Sequence, residues 1–504
     1  MSGMIERLKG GFSTRDLTAS IVVFLVAMPL CMGIAIASGV PPEKGLLTGI
    51  IGGIVVGLLA GSPLQVSGPA AGLAVIVFEL VRDQGLSALG PILALAGAIQ
   101  FIAGMLKLGG WFRAISPAVV HGMLAGIGVL IVVGQFHVLF DAKPLASGVD
   151  NLAAMPGRLL GLNPGDISGA EVAFAVGLLT IGAMLAWEKF RPASMRLLPG
   201  ALVGVTAATL VAYFVGLDVT RVAVPSNILD AVDVPNGGFV SRMADPAIYA
   251  TALAIAFIAS AETLLSAAAV DKMHDGVRTN YDKELRAQGI GNLLCGFAGS
   301  LPMTGVIVRS SANVQAGATS RVSTVLHGVW ILAFVALLPW LLREIPMAAL
   351  GGILVVTGWR LVSLTHVTHL FHRYGALPAV IWAATLITVV AEDLLTGVLV
   401  GLGLSLLELV PHLRRLGLRV HETGGGERSH VSLQGTATFV TLPKLTKALD
   451  AVPHDRALTL DVARLSAIDH TCAEVLNDWL QRRRAAGMRI DLAGDGGRLR
   501  GLTV

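Results

Sequence analysis

Long apolar stretches dominate the chain up to about residue 411, and the charged residues fall mainly between them. A helix needs about 20 apolar residues to cross a bilayer, and a window of that length detects a series of such stretches. The predicted spans are 17–38, 45–60, 90–108, 116–140, 169–187, 198–215, 246–269, 285–299, 320–342, 344–358, 375–392 and 394–411. The pattern predicts a polytopic α-helical membrane protein.

Two further apolar segments are too short to cross a bilayer alone. Residues 68–81 follow a Gly/Ser/Pro break at 61–69, and residues 304–317 follow a similar break at 299–305. Paired short segments in the two halves of a transporter point to its binding site. A half-helix begins with unpaired N–H groups and about half a positive charge, which favours an anion. The segments then total about fourteen in two inverted repeats of seven, although such breaks also occur in ordinary loops.

The last part of the chain alternates between strand and helix patterns, which is typical of a small α/β domain. Strands are predicted at 430–440, 457–464 and 488–492, and helices at 444–452 and 472–485. The predicted organisation is a cytoplasmic N-terminus at 1–16, a transmembrane transport domain at 17–411, a linker at 412–429 and the small domain at 430–504.

Composition and charge agree with a membrane location. Only 14% of the residues are charged, against about 25% in soluble proteins. The three cysteines, Cys31, Cys295 and Cys472, are isolated, so neither disulfides nor a cysteine metal site is expected. Lys and Arg residues concentrate on the side that both termini share, which predicts cytoplasmic termini in a plasma or inner membrane. No basic tract indicates nucleic-acid binding.

Several motifs, in order and spacing, resemble the SulP anion transporters, called solute carrier family 26 in animals. They are Pro29, 65–69 (QVSGP), 262–266 (ETLLS), 288–292 (QGIGN), 304–317 and 393–397 (DLLTG), and residues 459–469 are similar to part of a STAS domain. The resemblance implies fourteen spans, a core domain that carries substrate past a gate domain in an elevator-like movement, anion symport or exchange, and a homodimer. No catalytic triad, zinc or phosphate-loop pattern indicates an enzyme.

Glu262 is the first candidate site residue. An acid in the middle of a membrane span is costly and therefore usually functional. The resemblance implies an ion-coupling role, with Ser266 one turn later, and Glu at this position favours a proton over sodium. No other cofactor is expected, and the alternative is a hydrogen bond to a neighbouring helix.

The anion itself is expected between the two half-helices. Arg309 would set the electrostatic field there or, alternatively, pair with Glu262. Backbone N–H groups and two hydroxyls would supply most contacts. The predicted substrate-binding residues are Ser67, Gly68, Ala70, Ala71, Thr304, Gly305, Val306, Arg309 and Leu30.

Leu30, directly after Pro29, helps to predict which anion is transported. Sulfate and dicarboxylate carriers of this family often have Gln there, so the resemblance favours bicarbonate. A site with few side-chain donors also suits a small monovalent anion. A sulfate or dicarboxylate symporter and an anion exchanger remain alternatives, and a nucleobase transporter or an anion channel of the same fold is more remote.

Other polar residues are weaker candidates. Glu79 is expected at the membrane interface, and His121 and His137 in helix–helix contacts. Thr471 follows Asp469 at the spacing of a phosphorylated residue in related domains, but docking or dimer contact is the favoured role of that domain. The histidines at 366, 369 and 372 are expected in a solvated loop, not at a metal.

Overall fold

The computed structural model describes residues 13–112, 116–145, 147–161, 169–225, 227–274, 276–363, 368, 371–372, 376–409, 417–424, 428–452, 457–485 and 488–493. These residues form two compact units. One unit contains the described residues up to 109 together with 127–362 and 390–394, and the other contains those at 110–126, at 363–389 and from 395 onward.

Helices form at every predicted full-length span and at four other segments. Their bounds are α1 Thr14–Ala37, α2 Pro42–Ile51, α3 Ala74–Gln84, α4 Leu89–Met105, α5 Pro117–Val138, α6 Gly148–Leu160, α7 Gly169–Phe190, α8 Gly200–Val215, α9 Gly237–Met243, α10 Ala247–Asp271, α11 Tyr281–Phe297, α12 Ile307–Gln315, α13 Val322–Leu337, α14 Met347–Leu361, α15 Ala376–Ala391 and α16 Leu394–Leu409. Helix α2 continues through a π-helical turn at Gly52–Val56 into a short helix, and two other short helices lie at Gly109–Phe112 and Pro339–Leu342.

The described helices confirm a multi-pass membrane architecture. Six of them, counting α2 with its extension and α4 with the turn before it, are long and apolar enough to cross a membrane. Five shorter apolar helices lie at Gly200–Val215, Val322–Leu337, Met347–Leu361, Ala376–Ala391 and Leu394–Leu407. The total of fourteen segments stays a prediction.

The two predicted breaks meet each other. Strand β1 (Ser67–Pro69) pairs antiparallel with β2 (Met303–Gly305), and Gly68 lies opposite Thr304. A 3-10 turn at Ala71–Leu73 leads from β1 into α3, and β2 leads into α12. The half-helices therefore begin a few residues later than the predicted 68 and 304, because the first residues after each break are extended.

Side chains of neighbouring helices hold this two-stranded crossing in place. The buried Asn292 amide accepts the Met303 N–H at 2.8 Å and donates to the Met303 carbonyl at 3.1 Å. Thr48 accepts the Leu301 N–H at 2.9 Å. Gly299 has φ of 58°, a left-handed conformation that glycine adopts at little cost. The crossing is thus anchored from α2 and α11.

Helices α4 and α11 pack backbone against backbone at glycines. A Cβ on Gly97 would lie 2.3 Å from the Leu293 amide nitrogen, and one on Gly289 would lie 2.4 Å from that of Phe101. Small residues allow such close approach in membrane proteins, where packing replaces the hydrophobic effect between helices.

We expect Gly289→Val to destabilise the protein by about 3 kcal/mol, because the added side chain forces these helices apart. The measurement is thermal unfolding of the purified protein in detergent. Gly182→Val on α7 is the matched control, since a Cβ on the exposed Gly182 meets no atom within 4 Å. Equal melting temperatures for the two variants would contradict the packing argument.

The small domain folds around one four-stranded sheet. Its strands are β3 Gly417–Gly424, β4 Arg428–Ala437, β5 Ala457–Ile468 and β6 Ile490–Ala493, and its helices are α17 Leu442–Ala451 and α18 His470–Ala485. The sheet order is β3-β4-β5-β6, with β3 antiparallel to β4 and the other pairs parallel. Strand β3 lies inside the predicted linker 412–429, so the domain begins by Gly417.

The start of α18 is capped by a carboxylate. Asp469 Oδ1 accepts the Cys472 N–H at 2.8 Å, and both Thr471 and Cys472 are buried. Burial, followed by the nearby Asp469 charge, raises the pKa of the Cys472 thiol. Because Thr471 is buried, a kinase could reach its hydroxyl only after local opening.

Candidate functional site

One face of the β1–β2 crossing carries two charged side chains. A Cβ on Gly68 would lie 2.1 Å from Nη1 of Arg309, so the guanidinium packs directly against the strand backbone. A Cβ on Gly72 would lie 2.7 Å from Oε2 of Glu262. We call this side, comprising Gly68, Gly72, Thr304, Glu262 and Arg309, the charged face.

Arg309 has an unusual environment. Its side chain is fully buried, and its Nε, Nη1 and Nη2 atoms have no hydrogen-bond partner among the described residues. It therefore makes no hydrogen-bonded ion pair with Glu262, which removes that alternative. Neutral groups lie close by, including the Cys31 thiol, and His327 is within electrostatic reach. A buried unpaired charge is costly, so an anionic ligand suits this position.

Glu262 lies on α10 with its carboxylate at the start of the first half-helix. Its nearest polar groups are the Gly72 N–H and the Thr304 hydroxyl. Oε2 of Glu262 and the Thr304 hydroxyl are buried but lack hydrogen bonds of standard geometry. Ser266 is buried one turn further along α10. The half-helix thus presents its positive end to a carboxylate of the same chain.

The opposite face of the crossing is fixed by neutral hydrogen bonds. Gln288 Nε2 donates to the Ser67 hydroxyl at 2.6 Å, and Gln65 Nε2 donates to the Thr263 carbonyl at 2.9 Å. A Cβ on Gly305 would lie 1.7 Å from Gln65 Nε2. The Ser67 side chain therefore contacts α11 and lies away from Arg309, contrary to the expectation that its hydroxyl binds the anion.

Several predicted anion donors already have partners in the protein. The Ala70 N–H donates to the Pro302 carbonyl at 3.1 Å and the Val306 N–H to the Val66 carbonyl at 2.9 Å. The Gly305 N–H donates to the Thr263 hydroxyl at 3.1 Å. The expected donor role of these three N–H groups is therefore wrong, because contacts around the paired strands consume them. After Ala71, the Leu73 N–H donates to the Ala70 carbonyl and the Ala74 N–H to the Ala71 carbonyl, while the Gly72 N–H faces Glu262. The first turn that starts at Ile307 retains N–H groups without intrahelical partners.

Helix α11 contributes polar residues that were not predicted to belong to a site. Glu284 is buried and accepts the N–H groups of Gly61 and Ser62 at 2.8 and 2.9 Å. Gln288 bridges Glu284 and Ser67, and Asn292 holds β2. Polar residues at i, i+4 and i+8 in a predicted span were the available signal. Cys31 and His327, next to Arg309, gave no comparable pattern.

The remaining candidates fall outside the crossing. Leu30 is buried on α1 beside Cys31. His137 Nε2 lies 3.1 Å from the Asn151 carbonyl, a contact between helices as expected. Two of the three loop histidines, at 366 and 369, lie outside the described residues. Within the described part of the chain, no group of three or more His, Cys, Asp or Glu side chains could hold a metal.

Comparisons with known proteins identify the family. The model of the sulfate permease family matches residues 14–385. A putative sulfate transporter of Bacillus subtilis, YvdB, is 32% identical over 81% of this chain and 75% of its own length. The bicarbonate transporter BicA of Picosynechococcus is 25% identical over 77% of this chain and 68% of its own length.

Solved structures have the same fold. The transmembrane domain of a cyanobacterial bicarbonate transporter, BicA, matches with a TM-score of 0.65 and 24% identity, over 76% of this chain and 96% of that chain. Murine Solute Carrier 26 family member A9, an anion transporter, matches with a TM-score of 0.67 and 16% identity, over 97% and 87%. This chain therefore belongs to the sulfate permease (SulP) family and is a membrane anion transporter, not an enzyme.

Proposed function

We propose that this transporter is a proton-coupled symporter of a small inorganic anion, with bicarbonate as the leading substrate. The observation that carries the proposal is the buried guanidinium of Arg309, which has no hydrogen-bond partner among the described residues and lies beside two converging half-helix starts. A fixed positive charge in a water-poor site binds an anion strongly. The remaining contacts come from the Thr304 hydroxyl, the Gly72 N–H and the first-turn N–H groups that start at Ile307.

The position of Glu262 favours a proton over sodium as the coupling ion. The carboxylate lies against the backbone at Gly72, where a half-helix presents N–H groups and partial positive charge. A sodium ion needs several oxygen ligands and is repelled by such a helix end. A proton needs only the carboxylate itself. Sodium held by Glu262 and Ser266 is the alternative.

The part of α1 near Arg309 supports bicarbonate. Cys31 lies close to Arg309 and, like its neighbours Leu30 and Met32, is buried and offers no strong hydrogen-bond donor. Such a wall suits an anion that needs few side-chain donors, because each unmet polar group on a more demanding ligand would cost free energy.

Sulfate is the second candidate, and the local charge favours it. Arg309 and two half-helix ends together supply about two positive charges, which a divalent anion balances once Glu262 is protonated. The sulfate transporter name of the Bacillus relative agrees with this assignment. The apolar residues of α1 thus favour bicarbonate, and the local positive charge favours sulfate.

The wider architecture follows the family. We infer fourteen segments in two inverted repeats, a core that moves in an elevator-like way against a gate, and a homodimer in the plasma or inner membrane with cytoplasmic termini. The C-terminal sheet domain agrees in its order of elements with a STAS domain, and docking or dimer contact is its proposed role.

Counterflow in proteoliposomes separates the candidates. Purified protein with internal unlabelled anion is expected to accumulate labelled bicarbonate, and an inward proton gradient should drive net uptake when a sodium gradient does not. Labelled sulfate, chloride and a dicarboxylate are tested in parallel. Sulfate counterflow without bicarbonate counterflow would select the second candidate. Failure of every anion under both gradients would refute the symporter.

A further inference from the structure

The turn between α7 and α8 gathers positive charge at one end of these two helices. Lys189 lies in the last turn of α7, Arg191 follows that helix, and Arg196 lies in the connection to α8. The side chains of all three are at least partly exposed. Glu188 is the only acid in the sequence from 172 to 217. The turn therefore carries a local excess of positive charge.

Glu188 does not neutralise this excess, because it already has a partner. Its carboxylate pairs with the guanidinium of Arg360 at the end of α14. The sequence from 345 to 391, which includes α14, contains no acid at all. The three basic side chains of the turn thus have no ion-pair partner among the described residues.

Hydrogen bonds fix the turn and keep its two arginines adjacent. The Arg191 guanidinium donates to the Arg196 carbonyl at 3.1 Å. Trp187 Nε1 donates to the Leu198 carbonyl at 2.9 Å, and the Leu198 N–H donates to the Met195 carbonyl at 3.0 Å. Like charges repel one another, so a bound anion would offset the free-energy cost of this arrangement.

Large apolar side chains lie exposed beside these charges. Phe190 is 74% exposed, and Trp359, the neighbour of Arg360, is 67% exposed. The Lys189 ammonium lies 5.4 Å from the centre of the Phe190 ring. Tryptophan is enriched where a membrane meets water, and most residues of α7 are not buried within the protein, as expected of a helix that faces lipid. The charged turn is therefore continuous with a lipid-facing surface.

We propose that this turn and the adjoining ends of α7 and α14 bind the headgroup of an anionic phospholipid. Lys189, Arg191 and Arg196, which we call the basic patch, contact the phosphate diester, and the acyl chains lie along the exposed side of α7. The site differs from the anion site at the β1–β2 crossing and does not depend on which anion is transported.

The combination of charge and apolar surface favours a lipid over a free phosphate. A soluble phosphate would use the basic patch but would leave the exposed rings of Phe190 and Trp359 in water. A phospholipid contacts both, because its charged headgroup and its acyl chains meet at the level where a spanning helix ends.

Titration of the full-length protein in a neutral detergent with phosphatidylglycerol tests the proposal. The melting temperature is followed as lipid is added, with phosphatidylcholine, glycerol phosphate and inorganic phosphate in parallel. Phosphatidylglycerol should raise the melting temperature of the wild type, and phosphatidylcholine should not. Any stabilisation that a soluble phosphate gives through the transport site should be equal in all variants.

The double variant Lys189→Gln, Arg196→Gln removes two charges of the basic patch. It keeps the hydrogen bonds of the turn, because these use the Arg191 side chain and backbone groups of Arg196. Its apparent affinity for phosphatidylglycerol should fall about 30-fold, with its lipid-free melting temperature as the baseline. The matched control is Lys107→Gln, Lys143→Gln, which removes two exposed lysines outside the patch and should keep the wild-type affinity.

Unchanged affinity for phosphatidylglycerol in the patch variant would overturn the assigned site. An equal loss in the lysine control would indicate unspecific attraction between charges and would also overturn it. If glycerol phosphate or inorganic phosphate stabilised the wild type as strongly as the lipid, and the patch variant lost that effect, the ligand would be a soluble phosphate and the lipid assignment would be wrong.

Discussion

Replacing Arg309 by glutamine is expected to abolish transport while the protein remains folded. Hydrogen bonds to a charged group contribute about 1.5–3 kcal/mol, so anion affinity should fall about 10–100-fold. Thermal stability without anion should be maintained or increased, since the substitution removes a buried guanidinium that has no hydrogen-bond partner among the described residues. Counterflow in proteoliposomes and melting curves with and without sulfate or bicarbonate measure the two effects.

The stability measurement separates a binding role from a structural one. Breaking a buried ion pair typically costs about 3–5 kcal/mol, so a structural Arg309 would leave the Gln variant clearly less stable. Arg82→Gln is the charge-matched control, because Arg82 is partly exposed and pairs with its neighbour Asp83 at 2.7 Å. A strongly destabilised Arg309→Gln protein, or one with normal anion affinity, would contradict the assigned role.

The sequence predicts the helices well and the two breaks correctly, because membrane spans and Gly/Pro interruptions are local signals. It does not predict which face of the crossing each residue occupies. Ser67 and Gly68 are neighbours, yet Ser67 contacts Gln288 and Gly68 contacts Arg309. Side chains alternate along an extended strand, whereas the sequence pattern suggested that a helix begins at residue 68.

The pairing of the two strands also explains why the N–H donors of the anion site were predicted wrongly. Strand pairing between β1 and β2 joins segments more than 200 residues apart, and no local pattern reveals which carbonyl accepts each N–H group. Glu262 and Arg309 could be predicted because a charge in an apolar span is conspicuous. Gln288 and Asn292 were missed although their i, i+4 spacing on one face of a predicted span was a usable signal. Strand β3 could not be predicted, because turn-rich segments are common between domains.

Glu262→Gln is expected to separate exchange from coupled uptake. Glutamine keeps the size of the side chain and an oxygen beside Gly72, but it neither ionises nor carries the transported proton. Labelled anion should therefore still enter by counterflow, whereas an inward proton gradient should no longer drive net accumulation. Anion accumulation should be at least tenfold lower than in the wild type. Each pH unit of gradient supplies about 1.4 kcal/mol, which can maintain a tenfold concentration ratio of the anion.

The control is Glu79, an acid of the first half-helix. Glu79 lies on α3, away from the crossing, so Glu79→Gln should retain proton-driven accumulation. If Glu79→Gln lost coupling and Glu262→Gln kept it, the two acids would exchange roles. If Glu262→Gln abolished counterflow as well, the carboxylate would be required for anion movement itself. Glu262 would then do more than carry the coupling proton. If Glu262→Gln kept both counterflow and net accumulation, and accumulation depended on sodium, Glu262 would be dispensable. The coupling ion would then bind elsewhere.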